Sequence, residues 1–237
     1  MEELVSTLEH RLPSEFVHKN AAVDAIAPDG GAWRIATRDG TTLVRSLILA
    51  CPARVAATLI QSLDTRAADL CHSVPYVSTV SISIAWPRTA IAHALNGSGF
   101  VVARDRNAPR ITACTWVSSK WSNRAPAGTA LVRAFVGGSH DPSAVELSDE
   151  ALVGLAAKEL GPILGINGQP ILSRVYRWRQ AGAQHNVGQI ARVSEIEQRL
   201  APHGGLFVAG SGFRSVGVPD CIADGRAAAV DACSRIQ

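Results

Sequence analysis

The spacing of apolar residues predicts helices at both ends of the chain and in its middle. Leu4, Leu8 and Leu12 recur every four residues before Pro13, which is the pattern of a short amphipathic helix. Later stretches show the same period, and three of them begin at a capping residue or a proline, namely Pro52, Ser148 and Pro219. They predict helices over residues 52–63, 66–73, 148–165 and 190–200, and from Asp220 towards the C-terminus.

Short runs of apolar and β-branched residues, bounded by glycine and proline, predict strands between these helices. Near the N-terminus the predicted strands cover residues 16–17, 21–27, 33–37 and 43–50. A second group covers residues 77–86, 99–103, 110–117 and 130–136, and residues 171–178 form one more strand. We expect the four strands of the second group to pair in chain order in one antiparallel sheet.

Residues 205–225 carry the most informative pattern of the chain. Leu206 to Ala209 form an apolar run between glycines, as in a strand that is covered on both faces. Gly210 and Gly217 allow sharp turns and a close approach of the backbone to a ligand, and Pro219 suits the first turn of a helix. Strand, glycine turn and helix N-terminus together predict a cradle for a flat ligand that carries a carbonyl or an anionic group.

Composition narrows the class of protein. With 237 residues, of which 47% are hydrophobic and 18% charged, the chain has enough apolar surface for a substantial core. The formal net charge is only +3 and no basic run alternates with aromatic residues, which argues against a nucleic-acid partner. The five cysteines form no C-x-x-C pair, so we expect reduced core residues of a cytosolic protein.

The sequence also predicts a cytoplasmic location. The N-terminus is acidic and lacks the basic and apolar regions of a signal peptide. No apolar stretch approaches the roughly 20 residues that a bilayer-spanning helix needs. Any membrane contact is therefore expected to be peripheral.

The cradle segment resembles the C-terminal flavin-binding motif of the protoporphyrinogen oxidases, a branch of the amine oxidase family of FAD enzymes. Further segments resemble consecutive blocks of the same branch, in the same order along the chain. These blocks are Met1–Leu8, Leu47–Pro52, Gly97–Arg104, Thr112–Trp121, Arg124–Pro126 and Leu131–Gly138. The resemblance implies an α/β fold with mixed α+β character, and FAD as the cofactor.

The resemblance also implies two interleaved layers. Residues 1–52 and 179–237 correspond to an incomplete FAD-binding domain, and residues 53–178 to a central substrate-binding domain built of an antiparallel sheet and a helix. The G-x-G-x-x-G turn that holds the FAD pyrophosphate in this family has no counterpart, because residues 210–215 end in serine and lack a following strand. We therefore expect the C-terminal part of an enzyme, marginally stable or associated with a missing N-terminal chain or a second copy.

Members of the family hold flavin largely through backbone groups. Val216 to Val218 match the turn whose N–H groups meet the pyrimidine side of the flavin ring; the alternative is an ordinary strand-to-helix connection. Val23 matches a valine at the adenine end, while Ala50 and Gly210 lie at strand ends beside the cofactor channel. Trp178 matches the tryptophan of a segment that lies over the flavin. The implied cofactor contacts are Val23, Ala50, Trp178, Gly210, Val216, Gly217 and Val218.

Three positions after Trp178 depart from the family pattern. Ala183 stands where the family has proline, His185 where it has tyrosine, and Gln189 where it has histidine. The resemblance places these positions in the lining of the active site. The departures therefore bear on catalytic competence rather than on the fold.

The reaction implied by the resemblance is oxidation of a porphyrinogen, protoporphyrinogen IX or coproporphyrinogen III, to the porphyrin in haem biosynthesis. The flavin supplies the oxidising chemistry, and oxygen later reoxidises it. Two alternatives stay open: a non-catalytic remnant or binding module that needs a partner chain, and a flavoenzyme of the same family with another substrate. The sequence contains no evident acid–base dyad, nucleophile pair or metal-ligand cluster, so no catalytic side chain is assigned.

Arginines and tryptophans of the middle segment are further candidates for substrate contacts. Arginine pairs well with propionate groups, and tryptophan lines flat apolar pockets. Arginines at strand ends are more often simply solvated, and core packing is the commoner role of such tryptophans, so none of them is assigned as a site. The candidates are Arg88, Arg104, Arg110, Trp86, Trp116 and Trp121.

Overall fold

The structure is a computed structural model that describes residues 2–103, 105, 108–214 and 216–235. Met1, Arg104 and Ser215, which belong to the family blocks and the glycine turn considered above, lie outside the described residues. The helices are α1 (Glu2–Arg11), α2 (Ala53–Ile60), α3 (Thr65–His72), α4 (Val117–Lys120), α5 (Asp149–Leu164), α6 (Gln189–Leu200) and α7 (Val218–Ser234). The strands are β1 (Val23–Asp29), β2 (Ala32–Thr37), β3 (Gly40–Val44), β4 (Leu47–Leu49), β5 (Tyr76–Pro87), β6 (Gly99–Val101), β7 (Ala113–Thr115), β8 (Thr129–Gly137), β9 (Leu172–Ala183) and β10 (Leu206–Val208).

The chain divides into two compact units. One consists of Met1–Val74 with His185–Gln237, and the other of Pro75–Gln184. Both contain helices and sheets, which confirms the predicted α/β fold class. In the part of the chain that the structure describes, no helix has the length and apolar character that a bilayer span requires.

The first unit holds two small sheets. Strands β1, β2 and β3 form an antiparallel sheet, and β4 pairs with β10 in parallel. Trp33 of β2 is buried, and its indole Nε1 donates to the carbonyl oxygen of Gly204 at 2.8 Å. Gly205 has a φ of +68°, and a Cβ there would lie 2.8 Å from the Arg45 carbonyl oxygen. Only glycine therefore fits where the chain enters β10.

One predicted strand of this unit is wrong and another is divided. Residues 14–16 form a short 3-10 turn instead of leading into a strand, because the N–H of Phe16 donates to the Pro13 carbonyl at 3.0 Å. The predicted strand over residues 43–50 splits into β3 and β4, each of which pairs in a different sheet.

The second unit contains one antiparallel sheet with the strand order β6-β7-β8-β5-β9. The prediction of a single antiparallel sheet is confirmed, but pairing in chain order is wrong for its first strand. The 12-residue β5 pairs with the long strands β8 and β9 rather than with the three-residue β6. Long partners satisfy more of its backbone hydrogen bonds, which explains this order.

The core of the second unit lies between this sheet and α5. Alternate residues of β5 and β8 meet the apolar face of the helix, among them Ile82, Val132 and Leu152. Trp86 and Trp116 belong to this core, so both tryptophans have a role in core packing. Trp121 is exposed and lies beneath the Lys120 ammonium group.

Two of the three candidate arginines already have protein partners. The Arg88 guanidinium donates to the carbonyl oxygens of Ile91, at 2.6 Å, and His93, at 2.9 Å. Arg110 Nε donates to Asp141 Oδ2 at 2.8 Å. Both side chains hold loops together, which argues against a role in binding propionates.

All five cysteines lie among the described residues, and none of them forms a disulfide bond there. Cys71 and Cys114 are buried, and burial raises the pKa of each thiol to about 12. These two agree with the predicted core positions. Cys233 departs from the prediction because it lies on the exposed side of α7.

Asp64 ties α3 to α6. Its Oδ1 accepts hydrogen bonds from the Ala67 N–H at 2.7 Å, as the N-cap of α3, and from Arg199 Nε at 2.8 Å. The side-chain hydrogen bond from Arg199 holds the pKa of Asp64 below its ordinary value. We expect Asp64→Ala to lower the free energy of unfolding by about 1–2 kcal/mol at neutral pH.

The lowered pKa fixes the pH dependence of this contribution. The stabilisation by the Asp64 carboxylate is fully present at a pH above the pKa that Asp64 has in the unfolded chain. It is lost as the pH falls through the lower pKa of the folded state. Urea unfolding measured at neutral and at acidic pH should show that the free energies of unfolding of the wild type and of Asp64→Ala become similar in acid. The exposed Asp39→Ala is the control, with an expected change below about 0.5 kcal/mol. Equal effects of both substitutions would contradict the role of Asp64.

Candidate functional site

The carboxyl ends of β4 and β10 bring two of the predicted site residues together. Because the strands are parallel, Ala50 and Gly210 follow them at the same edge of the sheet. A Cβ built on Gly210 would lie 3.8 Å from the carbonyl oxygen of Ala50, and the φ of Gly210 is +100°. Residues with a side chain rarely adopt this conformation. Parallel sheets typically bind ligands at this edge.

The turn after β10 is anchored by residues at the start of α6. Gln189 is buried, and its Nε2 donates to the carbonyl oxygens of Gly212, at 3.3 Å, and Phe213, at 2.9 Å. His185 Nε2 donates to the carbonyl oxygen of Ser211 at 2.9 Å, since a carbonyl only accepts. Two of the three departures from the family pattern therefore hold the backbone of the glycine turn.

Asp224 of α7 holds the same turn from its other side. Its Oδ2 accepts from the Gly210 N–H at 2.6 Å, and its Oδ1 accepts from Arg214 Nη1 at 2.7 Å. The Asp224 side chain is only 7% exposed. Arg214 also donates to the Val208 carbonyl oxygen at 3.1 Å and forms an ion pair with Glu197. These charge-assisted hydrogen bonds fix where the chain leaves β10.

Helix α7 begins shortly after the glycine turn. Gly217 is the N-cap residue and has no side chain with which to cap the 17-residue helix. Val216 and Val218, on either side of it, are exposed. A helix N-terminus attracts carbonyl oxygens and anions through its N–H groups and its positive dipole end. This arrangement fits the electron-rich carbonyl edge of a flavin ring.

The other two predicted site residues lie elsewhere. Val23 begins β1 and pairs with Thr37 in the three-stranded sheet. Trp178 lies in β9 of the second unit, opposite Thr79 of β5. Neither belongs to the two-stranded sheet that carries Ala50 and Gly210, and their roles in cofactor binding stay predictions.

The sheet of the second unit has an aromatic surface on the face opposite its core. We call this surface the open sheet face and define it by Ser81, Arg133, Phe135, Tyr176 and Trp178. Tyr176 and Trp178 are each 55% exposed, and the Trp178 indole Nε1 donates to Ser81 Oγ at 3.3 Å. The exposed Arg133 pairs with the same strand, through Nε to Ser83 Oγ at 3.3 Å. Exposed aromatic rings beside a cation suit a flat apolar ligand with acidic substituents.

The site depends on several residues that the sequence did not reveal. Asp224, Arg214 and Phe213 were not predicted, and neither were the hydrogen bonds from His185 and Gln189 to the turn. The one available signal was an acidic residue, Asp224, among the small apolar residues of the predicted last helix.

Curated relatives of the chain are porphyrinogen oxidases by name. The chain is 32% identical over 234 residues to coproporphyrinogen III oxidase of Bacillus subtilis, a match that covers 98% of the chain and 49% of that protein. It is 34% identical over 200 residues to coproporphyrinogen III oxidase of Mycobacterium tuberculosis, covering 84% of the chain and 40% of that protein. The chain thus spans about half the length of the curated relatives it matches.

Solved structures share the fold. A candidate protoporphyrinogen oxidase from Exiguobacterium sp. 255-15 superposes with a TM-score of 0.83 at 26% identity, over 98% of this chain and 51% of that one. Cyclohexylamine oxidase from Brevibacterium oxydans superposes with a TM-score of 0.71 at 12% identity, over 99% and 52% of the respective chains, which shows the fold alone.

The family profile settles the classification. The profile described as "Flavin containing amine oxidoreductase" matches residues 1–233, nearly the whole chain. This match confirms the family resemblance that the sequence blocks indicated. The chain therefore belongs to the flavin containing amine oxidoreductase family.

Proposed function

We propose that the chain provides the flavin-ring end of an FAD site and the substrate layer of a porphyrinogen oxidase. The observation that carries this proposal is the glycine turn at Gly210, held by Asp224 and Gln189 and followed along the chain by α7. The names of the relatives support coproporphyrinogen III or protoporphyrinogen IX as the substrate.

The proposed flavin contacts are those that the family resemblance implies. The N–H groups of Val216 to Val218 would meet the carbonyl edge of the ring, and the strand ends at Ala50 and Gly210 would line the channel beside it. Val23 is proposed to contact the adenine end. FAD supplies the oxidising chemistry when it is bound. The role of this chain is to hold the ring in place through a turn that is fixed before the ligand arrives.

The open sheet face is the proposed site of the porphyrinogen. Tyr176 and Trp178 offer flat apolar surface to a macrocycle, and Arg133 offers a cation to a propionate group. The apolar core lies on the other face of the sheet, so these side chains can contact a ligand without disturbing the packing.

Binding of the product-like probe coproporphyrin III tests the substrate part of the proposal. We expect saturable binding of the porphyrin to the chain, followed by porphyrin fluorescence. Trp178→Ala should weaken it by about 1 kcal/mol, which is about fivefold, because one stacking surface is lost. Trp121→Ala removes another exposed tryptophan of the same unit and serves as the matched control. Equal affinities of the two variants would contradict a site on the open sheet face.

The second hypothesis, that activity needs a partner chain, stays a prediction. The chain matches 49% of the Bacillus subtilis relative although 98% of the chain takes part in the match. A binding module of this kind would bind porphyrin or flavin and would turn over substrate only in the presence of its partner. The cytoplasmic location and the peripheral membrane contact stay predictions from the sequence.

A further inference from the structure

Two exposed arginines lie on either side of β5, on the side of the sheet that faces away from α5. Ser83 of β5 pairs with Arg133 of β8 in one direction and with Arg174 of β9 in the other. Neighbouring strands lie roughly 4.8 Å apart, so the Cα atoms of the two arginines are about 10 Å from each other. Alternate residues of a strand share a face, which sets Arg174 on the same side as Tyr176 and Trp178. Both arginines are exposed and lie beside the aromatic residues of the open sheet face.

Neither arginine forms an ion pair with a residue that the structure describes. Arg133 Nε donates to Ser83 Oγ at 3.3 Å, and Arg174 Nη1 donates to the carbonyl oxygen of Ser173 at 2.8 Å. A guanidinium group carries five N–H donors, so each arginine keeps donors for a ligand beyond the one that binds the protein.

The other two arginines of β9 show the contrast. Arg177 Nη1 donates to Asp149 Oδ1 at 2.5 Å, and Arg179 Nη1 donates to Glu146 Oε1 at 2.5 Å. Both acids lie on the α5 side of the sheet. The strands β5 to β9 themselves contain no aspartate or glutamate. The sheet therefore compensates its arginines on one side and presents two positive charges on the other.

Aromatic side chains lie next to the two arginines along the strands. Phe135 and Tyr176 each lie two residues beyond the arginine of their strand, and both pair with Ser81 of β5. Two residues of a strand span about 7 Å, and Trp178 lies one such step further along β9. A flat ring that covers these aromatic residues would therefore have one edge at the arginines.

We infer that Arg133 and Arg174 bind two carboxylates at one edge of the macrocycle, one guanidinium group to each, and so fix its orientation. This inference rests on the proposed function of the open sheet face. Arginine binds a carboxylate through two parallel N–H···O bonds, which favours a defined position of each acid. The pair accepts a macrocycle with propionates on neighbouring pyrrole rings, a feature that coproporphyrinogen III and protoporphyrinogen IX share. It rejects a macrocycle in which these acids are esterified.

Fluorescence titration with coproporphyrin III and with its tetramethyl ester tests the inference, because the ester keeps the ring and loses the negative charges. Arg133→Gln and Arg174→Gln should each weaken binding of the acid by about tenfold, and the double variant by about 100-fold. Binding of the ester should be the same for all of these proteins. Equal losses for the acid and the ester would show a structural role of the arginines and would overturn the inference.

Arg179→Gln is the matched control, since it removes the same charge from the same strand on the α5 side. It should leave the affinity for coproporphyrin III unchanged, and protoporphyrin IX should repeat the losses of the two arginine variants. If Trp178→Ala weakens binding and the arginine substitutions do not, the proposed site stands and the inference is overturned. A folded wild type that binds neither acid would overturn both the inference and the proposed site.

Discussion

Replacing Trp86 with alanine is expected to lower the free energy of unfolding by about 3–5 kcal/mol. Trp86 is 1% exposed in the core between the sheet of the second unit and α5. The substitution removes a large apolar surface from contact and leaves a cavity that the neighbouring strands do not close. Urea unfolding measured by circular dichroism gives the difference directly.

The exposed Trp121 provides the control for this prediction. Trp121→Ala removes the same side chain where it is 43% exposed, and we expect a change below about 1 kcal/mol. A small loss for Trp86→Ala, together with weaker porphyrin binding, would contradict core packing and would return Trp86 to the lining of a macrocycle pocket.

Replacing Asp224 with alanine is expected to lower the free energy of unfolding by about 3 kcal/mol. The nearly buried carboxylate accepts from the Gly210 N–H at 2.6 Å and from Arg214 at 2.7 Å. Without it, the Gly210 amide has no acceptor and Arg214 loses one of its two acidic partners. The glycine turn should become less ordered as a result.

Asp231→Ala is the matched control, because it removes an exposed carboxylate from the same helix. We expect a change below about 0.5 kcal/mol for this variant. Thermal unfolding of the two variants beside the wild type measures both values. Similar stabilities of Asp224→Ala and the wild type would contradict the role of Asp224 in fixing the turn.

Local pattern was enough to predict most elements of the fold. Helix α5 was predicted from its N-cap and its apolar period, and β10 from its apolar run. Both have bounds close to the predicted ones. The pairing partners of the strands were harder to predict. Strand β5 pairs with β8 and β9, and this depends on the lengths of strands that lie far from β5 in the sequence. The apolar stripe of α1 was predicted as an amphipathic helix, but Leu8 and Leu12 are exposed in the structure.

The glycine turn of the site was predictable, and the side chains that hold it were not. Gly210 follows from its place after an apolar run, because few other residues permit the turn. Asp224 reaches it across 14 residues, and Gln189 reaches the Phe213 carbonyl across 24. Contacts over such separations leave no periodic trace in the sequence. The support that Gln189 gives to the turn was unforeseen for the same reason, and its place in the lining of an active site stays a prediction.

The most direct test of a flavin site at the glycine turn is titration of FAD with the purified chain, followed by flavin fluorescence. We expect a saturable change in flavin fluorescence for the wild type and about tenfold weaker binding for Gly217→Phe. The φ of Gly217, −72°, tolerates a side chain, so the phenyl ring would cover the N-terminus of α7 without straining the backbone. Gly225→Phe is the control on the same helix, where a Cβ meets nothing within 4 Å. A natively folded wild type with no saturable response, or equal binding by both variants, would contradict a flavin site at this turn.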